Sequence, residues 1–160
     1  MIAKTTQAAV RAIGLEEGPV HAELRLPDDN PIVIEVAARS IGGLCGRILE
    51  FGTGIGLEEL ILRHALDLPI DDMRRERKAG GVMMLPIPRK GILRAVNGQG
   101  TALAVDGIEE LTITVPIGQN VVPLPEGRQY LGFLFAKADE PASVETALRE
   151  AHSHLGFSIE

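Results

Sequence analysis

The strongest constraint on the fold is a β-hairpin pattern near the start of the chain. Residues 20 to 26 alternate strictly between apolar and polar side chains, which is typical of a strand with one buried face. The segment Pro27-Asp28-Asp29-Asn30-Pro31 has turn composition, and the β-branched run Ile32-Val33-Ile34-Glu35-Val36 follows it. A loop of these turn residues would pair Leu26 with Ile32 and, three residues further along each strand, Glu23 with Glu35.

This register predicts two carboxylates directly opposite each other on one face of the hairpin. Like charges at such a spacing, about 4.5–5.5 Å between Cβ atoms, normally destabilise a sheet. A divalent cation would remove the conflict, and Mg²⁺ typically takes one or two carboxylates together with phosphate oxygens and water. Arg39 has the same parity as Glu35 and would direct a positive charge at a phosphoryl group. The pattern is equally compatible with two acids that simply face solvent.

These residues also resemble a known family. Two strands that each carry a glutamate, with Glu-x-x-x-Arg and a Gly-Gly pair after the second, resemble the second half of an ATP-grasp domain; the matching residues are Glu23, Glu35-Val36-Ala37-Ala38-Arg39 and Gly42-Gly43. The resemblance implies that Glu23 and Glu35 bind Mg²⁺ with ATP. It also implies that Arg39 contacts phosphate or the acyl-phosphate intermediate as a catalytic group, and that the backbone of Gly42 and Gly43 receives substrate.

The arginine motif indicates a branch of that family. Glu-x-Ala-Ala-Arg is similar to the branch that includes the L-amino-acid ligases, and Ala37 stands where most other branches have an asparagine that completes a second metal's ligands. The segment from Phe51 to Leu57, with its Thr53-Gly54 turn, resembles the family's entry into a helix. The resemblance covers most of the chain, and only the Glu/Glu/Arg constellation is highly specific.

The resemblance implies an α+β fold. It would comprise the C-terminal lobe of an ATP-grasp domain, an antiparallel sheet with helices, over residues 1–69, and a β-rich subdomain ending in a helix over residues 70–160. The parent reaction is ATP-dependent activation of a carboxylate as an acyl phosphate, followed by attack of an amine, so the implied substrates are a small carboxylate and a small amine. The family's first lobe, which supplies phosphate-binding lysines and a glycine-rich loop, has no counterpart in these 160 residues.

Three interpretations of the missing lobe remain open. The chain can be a partial ligase that is inactive until a separate N-terminal lobe binds, or a non-catalytic binding or assembly module derived from a truncated ligase. It can also be one part of a longer protein. Apolar surface without its normal cover predicts association, either with that lobe or as a homodimer.

Composition narrows the classes of partner. The formal net charge of −6 argues against nucleic acid, whose binding depends on Lys and Arg. No apolar run approaches the roughly 18–20 residues of a membrane span. Cys45 is the single cysteine, so no internal disulfide can form, and a cytoplasmic location is expected. Cys45 itself is better explained as a small apolar residue than as a nucleophile, because no base is identifiable nearby.

Periodicity predicts the remaining elements. A helix capped by Thr5 or Thr6 is expected to end at Gly14, and another short helix is expected over residues 44–51. The stripe Leu57, Leu60, Ile61, Ala65 and Leu68 predicts a helix ended by Pro69 that packs on the apolar face of the hairpin. A last helix is expected from Pro141 to Leu155, with Gly156 at its end. Five strands are expected between these two helices: Gly81 to Pro86, Ile92 to Val96, Leu111 to Val115, Val121 to Leu124 and Leu131 to Ala136.

Several other polar residues have two interpretations. His21 shares a face with Glu23, so it can order substrate or a metal-bound water, or it can be a structural histidine. Ser40, next to Arg39, could donate to a phosphate. The connector from Asp71 to Lys78 contains an anion-binding set of basic residues or, because acids are interspersed, a solvated linker. His152 and His154 lie two residues apart on a helix, which argues against a shared metal.

Overall fold

The alternating segment folds as its pattern predicts, into the first strand of an antiparallel hairpin. The computed structural model describes residues 1 to 52 and 54 to 160, and it divides into two units, Met1–Glu76 and Arg77–Glu160. Small antiparallel sheets and four α-helices make up the described residues, so the expected α+β class is confirmed. No helix among them is long and apolar enough to cross a bilayer.

The first unit contains short elements. In chain order these are α1 (Ile2–Ala12), β1 (His21–Arg25), β2 (Ile32–Ala37), β3 (Glu50–Phe51), β4 (Ile55–Gly56) and α2 (Leu57–Ala65), with 3₁₀ turns at Pro27–Asp29 and Cys45–Ile48. β1 pairs with β2, and β3 pairs with β4, both antiparallel. α1 packs against β2, whereas α2 contacts β3 and β4. The hairpin therefore has α1 as its main helical neighbour.

Three boundaries differ from the sequence prediction in this unit. α1 begins at Ile2 with no side-chain cap, so Thr5 and Thr6 lie inside the helix, where their hydroxyls donate to the carbonyls of Met1 and Ile2. The helix expected over residues 44–51 is a 3₁₀ turn followed by the two-residue strand β3. α2 ends at Ala65, before Pro69, and a local motif explains this early end.

A Schellman motif stops α2. Asp67 has a positive φ of 52°, and its N–H donates to His64 O at 3.2 Å. The N–H of Leu68 donates to Arg63 O at 2.9 Å. This pair of bonds satisfies the last helical carbonyls and reverses the chain before the proline is reached. An aspartate tolerates the left-handed conformation better than most non-glycine residues, so the sequence does carry a signal for this end.

Residues 70 to 76 return along β3 and belong to the first unit. The N–H of Glu76 donates to Glu50 O at 3.0 Å, and the N–H of Gly52 donates to Arg74 O at 2.9 Å. Arg74 also binds the Asp72 carboxylate with its side chain, and this hydrogen bond lowers the pKa of Asp72 below its ordinary value. Arg74, one of the basic residues of the connector, is thus paired with an acid of the same segment.

The second unit contains two three-stranded sheets and the last two helices. Its elements are β5 (Ala79–Leu85), β6 (Gly91–Asn97), α3 (Gln99–Leu103), β7 (Ile108–Ile113), β8 (Asn120–Val121), β9 (Gly132–Ala138), α4 (Pro141–His154) and β10 (Gly156–Ile159). The strand orders are β5-β9-β7 and β10-β6-β8. α4 packs on β5 and β9 through the apolar stripe predicted for it: Val144, Ala147, Leu148 and Ala151. α3 and β10 are elements that the sequence did not predict.

All of the buried aliphatic and aromatic side chains described belong to this second unit. The largest of those that are fully buried are Leu85, Leu93, Val121, Leu131, Leu134, Phe135 and Ile159. In the described part of the first unit only Pro31 and Gly46 are buried. The second unit therefore has a hydrophobic core of its own, and the first unit does not.

Candidate metal and phosphate site

Glu23 and Glu35 lie directly opposite each other in the hairpin. The register pairs His21 with Ala37, Ala22 with Val36 and Glu23 with Glu35. The geometry that the alternation predicts is therefore present at the two carboxylates. Both side chains are about half exposed, so a ligand can reach them from solvent.

The pairing predicted closer to the turn is wrong, because β2 contains a bulge. Ile32 lies opposite Arg25 instead of Leu26, and Val33 lies opposite Leu24, so Ile34 is the extra residue. Asp28 and Asp29 adopt left-handed conformations with φ of 48° and 60°, which tightens the turn. The pairing next to the turn is therefore one residue away from the predicted register. The bulge at Ile34 removes this offset, so the predicted pairing is present again at Glu23 and Glu35.

The bulge changes which apolar residue accompanies the carboxylates. Because Arg25 shares a strand face with Glu23, its partner Ile32 also lies on the carboxylate face, where it is 52% exposed. Uniform pairing would instead have placed Ile32 on the opposite face. An exposed apolar side chain, that of Ile32, therefore lies on the same face as the two glutamates. The two consecutive aspartates of the turn are the one sequence signal for this arrangement.

Each glutamate has a positively charged or ionisable neighbour. The Nη2 of Arg39 donates to Glu35 Oε1 at 3.2 Å, and Arg39 Nη1 donates to the backbone oxygen of Ser40 at 3.0 Å. His21 Nε2 lies 3.2 Å from Glu23 Oε1. The structure thus brings together four of the residues singled out in the sequence. The positive charge of Arg39 also reduces the repulsion between the two acids without a metal ion.

The donor set suits a magnesium ion that is shared with a phosphate. Two carboxylates on adjacent strands match the one or two protein ligands that Mg²⁺ usually takes, the remainder being water and phosphate oxygens. Within residues 1–52 and 54–160, no cluster of three or more His, Cys, Asp or Glu side chains could enclose a metal ion. Glu23 and Glu35 would therefore supply only two of the ligands of such an ion, and water, a nucleotide or another polypeptide would supply the others.

The remaining candidates are less closely connected to the glutamates. Gly42 and Gly43 follow in the loop after β2, where Gly43 has a φ of 63° that a glycine adopts without strain. Ser40 contacts Arg39 through its backbone rather than its hydroxyl. Cys45 is a half-buried free thiol that begins a 3₁₀ turn. Thr53, expected in the Thr-Gly turn, lies outside the described residues.

Family models match the chain at both ends. The model described as "ATP-grasp domain" matches residues 1–48, and the model described as "L-amino acid ligase C-terminal domain 2" matches residues 83–160. The chain corresponds to the C-terminal portion of an ATP-grasp ligase. The first match includes both glutamates and Arg39, and the second includes the core of the second unit.

Solved ATP-grasp ligases share this fold over nearly the whole chain. An L-amino acid ligase from Bacillus licheniformis is 27% identical with a TM-score of 0.81, and the similarity covers 99% of this chain and 40% of that one. A phosphoribosylglycinamide synthetase from Anaerococcus prevotii is 18% identical with a TM-score of 0.76, covering 95% of this chain and 39% of that one. The latter likeness concerns the fold alone.

A curated relative is also much longer than this chain. It is the uncharacterized protein y4rH from Sinorhizobium fredii, 25% identical over 153 residues, which are 96% of this chain and 32% of the relative. The chain therefore spans about a third of the length of that relative and 40% of the Bacillus ligase. More than half of each longer protein has no counterpart in these residues.

Proposed function

We propose that this chain supplies the metal and phosphate side of the active site in a divided ATP-grasp carboxylate–amine ligase. The observation that carries the proposal is the Glu23–Glu35 cross-strand pair with Arg39 bound to Glu35. In the proposed reaction a carboxylate oxygen attacks the γ-phosphorus of ATP and ADP leaves. An amine then attacks the acyl carbon of the acyl phosphate, and inorganic phosphate leaves.

Each residue has a specific role in this proposal. Glu23 and Glu35 hold Mg²⁺, which neutralises negative charge on the phosphates when it is bound. Arg39, placed by its ion pair with Glu35, contacts the transferring phosphoryl group and stabilises charge on its oxygens. His21 orients substrate beside Glu23, and the backbone of Gly42 and Gly43 lines the acceptor side. The lone cysteine is consistent with a reducing, cytoplasmic setting.

The chain alone is expected to bind Mg²⁺-ATP weakly and not to turn over. Phosphoryl transfer depends on positioning and on charge stabilisation from several directions, so half of a site loses most of the rate enhancement. The shares of 40% and 32% in longer relatives support this view, because most of each relative is absent from these residues.

The alternative is a non-catalytic binding or assembly module. It is favoured by the small donor set, since no group of three or more His, Cys, Asp or Glu side chains among the described residues could hold a metal ion. In this alternative the ion pairs of Glu23 and Glu35 with His21 and Arg39 serve only to stabilise the hairpin. Measured metal affinity separates the two functions.

A metal titration tests the proposal on the isolated chain. Mn²⁺ accepts the same carboxylate ligands and can be followed by its effect on water-proton relaxation. Glu23→Gln and Glu35→Gln are each expected to weaken Mn²⁺ binding by at least about tenfold. Glu126→Gln, which removes an exposed acid from the second unit, is the matched control and should leave the affinity unchanged. Equal affinities in all four proteins would contradict the metal site.

Calorimetry with Mg²⁺-ATP and phosphate release with mixed amino acids test the divided site. We expect weak binding and no release from the chain alone. Tight nucleotide binding by the chain alone, lost in Glu35→Ala, would refute the division. Release that begins only when a polypeptide carrying the remaining lobe is added would support it.

A further inference from the structure

The second unit leaves one long edge of a β-sheet open. In the sheet β5-β9-β7, β9 is central and both β5 and β7 lie at edges. β9 is buried from Gly132 to Ala136, whereas β5 is partly buried or exposed until its last residue, Leu85. Of the backbone hydrogen bonds described outside helices and ladders, only the one that Leu131 N–H donates to Leu85 O involves β5. The outer edge of β5 therefore has no partner strand among the described residues.

The two edges of this sheet differ in how they are protected. Natural proteins prevent unwanted pairing at an edge with charged side chains, prolines or bulges. β7 has a bulge between Ile108 and Glu110, carries two consecutive glutamates, and has α3 packed against it. β5 pairs with β9 over all seven residues without a bulge, and its sequence Ala-Gly-Gly-Val-Met-Met-Leu has no charge and no proline. A regular, uncharged edge of this length suits pairing with another strand.

The sequence of β5 is complementary to itself. When two copies of the strand pair antiparallel across a two-fold axis at Val82, Gly80 lies opposite the partner's Met84 and Gly81 lies opposite the partner's Met83. Each methionine then lies beside a residue that has no side chain. Because methionine is unbranched and flexible, it can cover the space above a glycine. Small residues fill one half of the strand and large residues the other half, so only antiparallel pairing matches small with large.

The residues that flank β5 select this register. An axis at Val82 pairs all seven residues of the strand. An axis one residue closer to the C-terminus would bring Pro86, which has no N–H to donate, into the ladder opposite Gly80. An axis one residue closer to the N-terminus would bring the charged Lys78 into the ladder. Of these three registers, only the one about Val82 uses the whole strand and neither of those residues.

The helix α4 adds complementary charges beside this strand. A two-fold axis that pairs edge strands antiparallel is perpendicular to the sheet, so both copies of α4 lie on one face of the joined sheet. α4 packs closely on β5, since a Cβ on Gly81 would meet Val144 and Leu148. A depression of about 530 Å³ beside β5 and α4 is lined also by Glu145 and Arg149, which are both mostly exposed. An acid and a base at this position allow opposite charges to meet in a symmetric contact.

We propose that two copies of this chain dimerise through β5, paired antiparallel about Val82, so that the two three-stranded sheets join into one sheet of six strands. The partner is a second copy because the match of glycines to methionines is a property of the strand paired with itself. The inference is independent of the metal site and of the proposed ligase reaction.

Position 82 tests the axis, because it is the position that pairs with itself. Val82→Lys and Val82→Glu each place like charges opposite each other. Each should raise the dissociation constant of the dimer, measured by sedimentation velocity, at least about tenfold. An equal mixture of the two variants should restore dimers, since lysine then lies opposite glutamate. Far-UV circular dichroism checks that both variants are folded.

Thr112→Lys is the matched control. Thr112 lies on β7, at the other edge of the same sheet, and it is partly buried as Val82 is. A lysine there introduces the same charge at an edge that the proposal does not use. It should leave the dissociation constant of the dimer unchanged.

Hydrogen exchange gives a second measurement on the unaltered chain. The amides of β5 should exchange at least about tenfold more slowly at a protein concentration that gives dimers than at one that gives monomers. The amides of β7 should exchange at the same rate at both concentrations. This comparison does not depend on whether any variant folds.

Five results would overturn the proposal. They are a monomer at every concentration, assemblies larger than a dimer, an equal mixture that stays monomeric, a loss of dimers in Thr112→Lys, and exchange of β5 that does not change with concentration. Glu35→Gln, which tests the metal site, should leave the dissociation constant of the dimer unchanged. The dimer and the metal site can therefore fail separately.

Discussion

At the scale of single residues, the pairing of Glu23 with Glu35 lowers the stability of the hairpin and suits the metal binding that we propose for it. Glu23 and Glu35 face each other across two strands, and like charges in this position cost about 0.2–1 kcal/mol relative to a neutral pair. Arg39 and His21 offset part of that cost through their contacts with the acids. A hairpin selected only for stability has no need for two acids at this position, so the arrangement is best understood through the ligand that the acids are proposed to bind.

Glu23→Gln should therefore stabilise the metal-free hairpin while it weakens metal binding. Glutamine keeps an oxygen that can contact His21, and it removes the repulsion with Glu35. We expect a gain of about 0.2–1 kcal/mol in the free energy of opening of β1 and β2, measured by amide exchange without divalent ions. Saturating Mn²⁺ should reverse the order of the two proteins. A loss of stability in the metal-free variant would mean that the His21 contact outweighs the repulsion.

The residue scale also shows what alternation can and cannot predict. The period of two placed both glutamates on one face, and the assumed five-residue loop predicted that they lie opposite each other; that pairing is present because the bulge restores the register before the glutamates. The alternation could not place Ile32, since the bulge at Ile34 depends on how tightly Asp28 and Asp29 turn the chain. The roles of the glutamates, of Arg39 and of the two glycines are still predictions, because register alone does not identify a ligand.

At the scale of elements, the sequence predicted the helices that have an apolar stripe and did not predict the shortest helix and the last strand. α2 and α4 each have apolar residues on one face, and that signal is strong over several turns. α3 has five residues and includes a glycine and a threonine, so it has no stripe to detect. β10 was missed because Gly156 was interpreted as a helix end, whereas it begins a strand that pairs with β6. That strand is specified by contacts with residues 93–97, which are distant in sequence.

The link between β6 and α3 depends on one glycine. Gly98 has a φ of 77°, and a Cβ there would overlap the carbonyl oxygen of His154 at the end of α4. Gly98→Ala should destabilise the second unit by about 1–3 kcal/mol or more, through left-handed strain together with the clash. Urea unfolding, followed by far-UV circular dichroism, measures the change.

Gly100→Ala is the matched control for that substitution. Gly100 lies two residues away inside α3, and a Cβ there meets no atom within 4 Å. Alanine should be neutral or stabilise the unit by up to about 1 kcal/mol, because glycine is a poor helix former. Equal effects of the two alanines would show that the close approach to α4 does not constrain this turn.

At the scale of the whole molecule, the two units differ in how they are stabilised. The buried apolar side chains described lie between Leu85 and Ile159, and burial of apolar surface is the dominant favourable term in folding. The first unit depends instead on backbone pairing and on partly exposed contacts. The units should therefore not unfold as one cooperative system.

Two transitions are expected in urea. The amides of β1, β2 and α2 should lose protection at a lower urea concentration than those of β5 and β9. Limited proteolysis under native conditions should cut within residues 1–76 before it cuts the second unit, because protease-sensitive sites open locally where few apolar contacts hold the chain. A single transition in which all of these amides exchange together would contradict this division of stability.

The missing core of the first unit has a further consequence for the protein in the cell. A unit that opens easily exposes its aliphatic residues to chaperones and proteases, and abundance then follows the population of the open form. Binding of a completing polypeptide would reduce that population by mass action. If the remaining lobe is a separate polypeptide, as proposed, the lifetime of this chain would depend on the supply of that lobe.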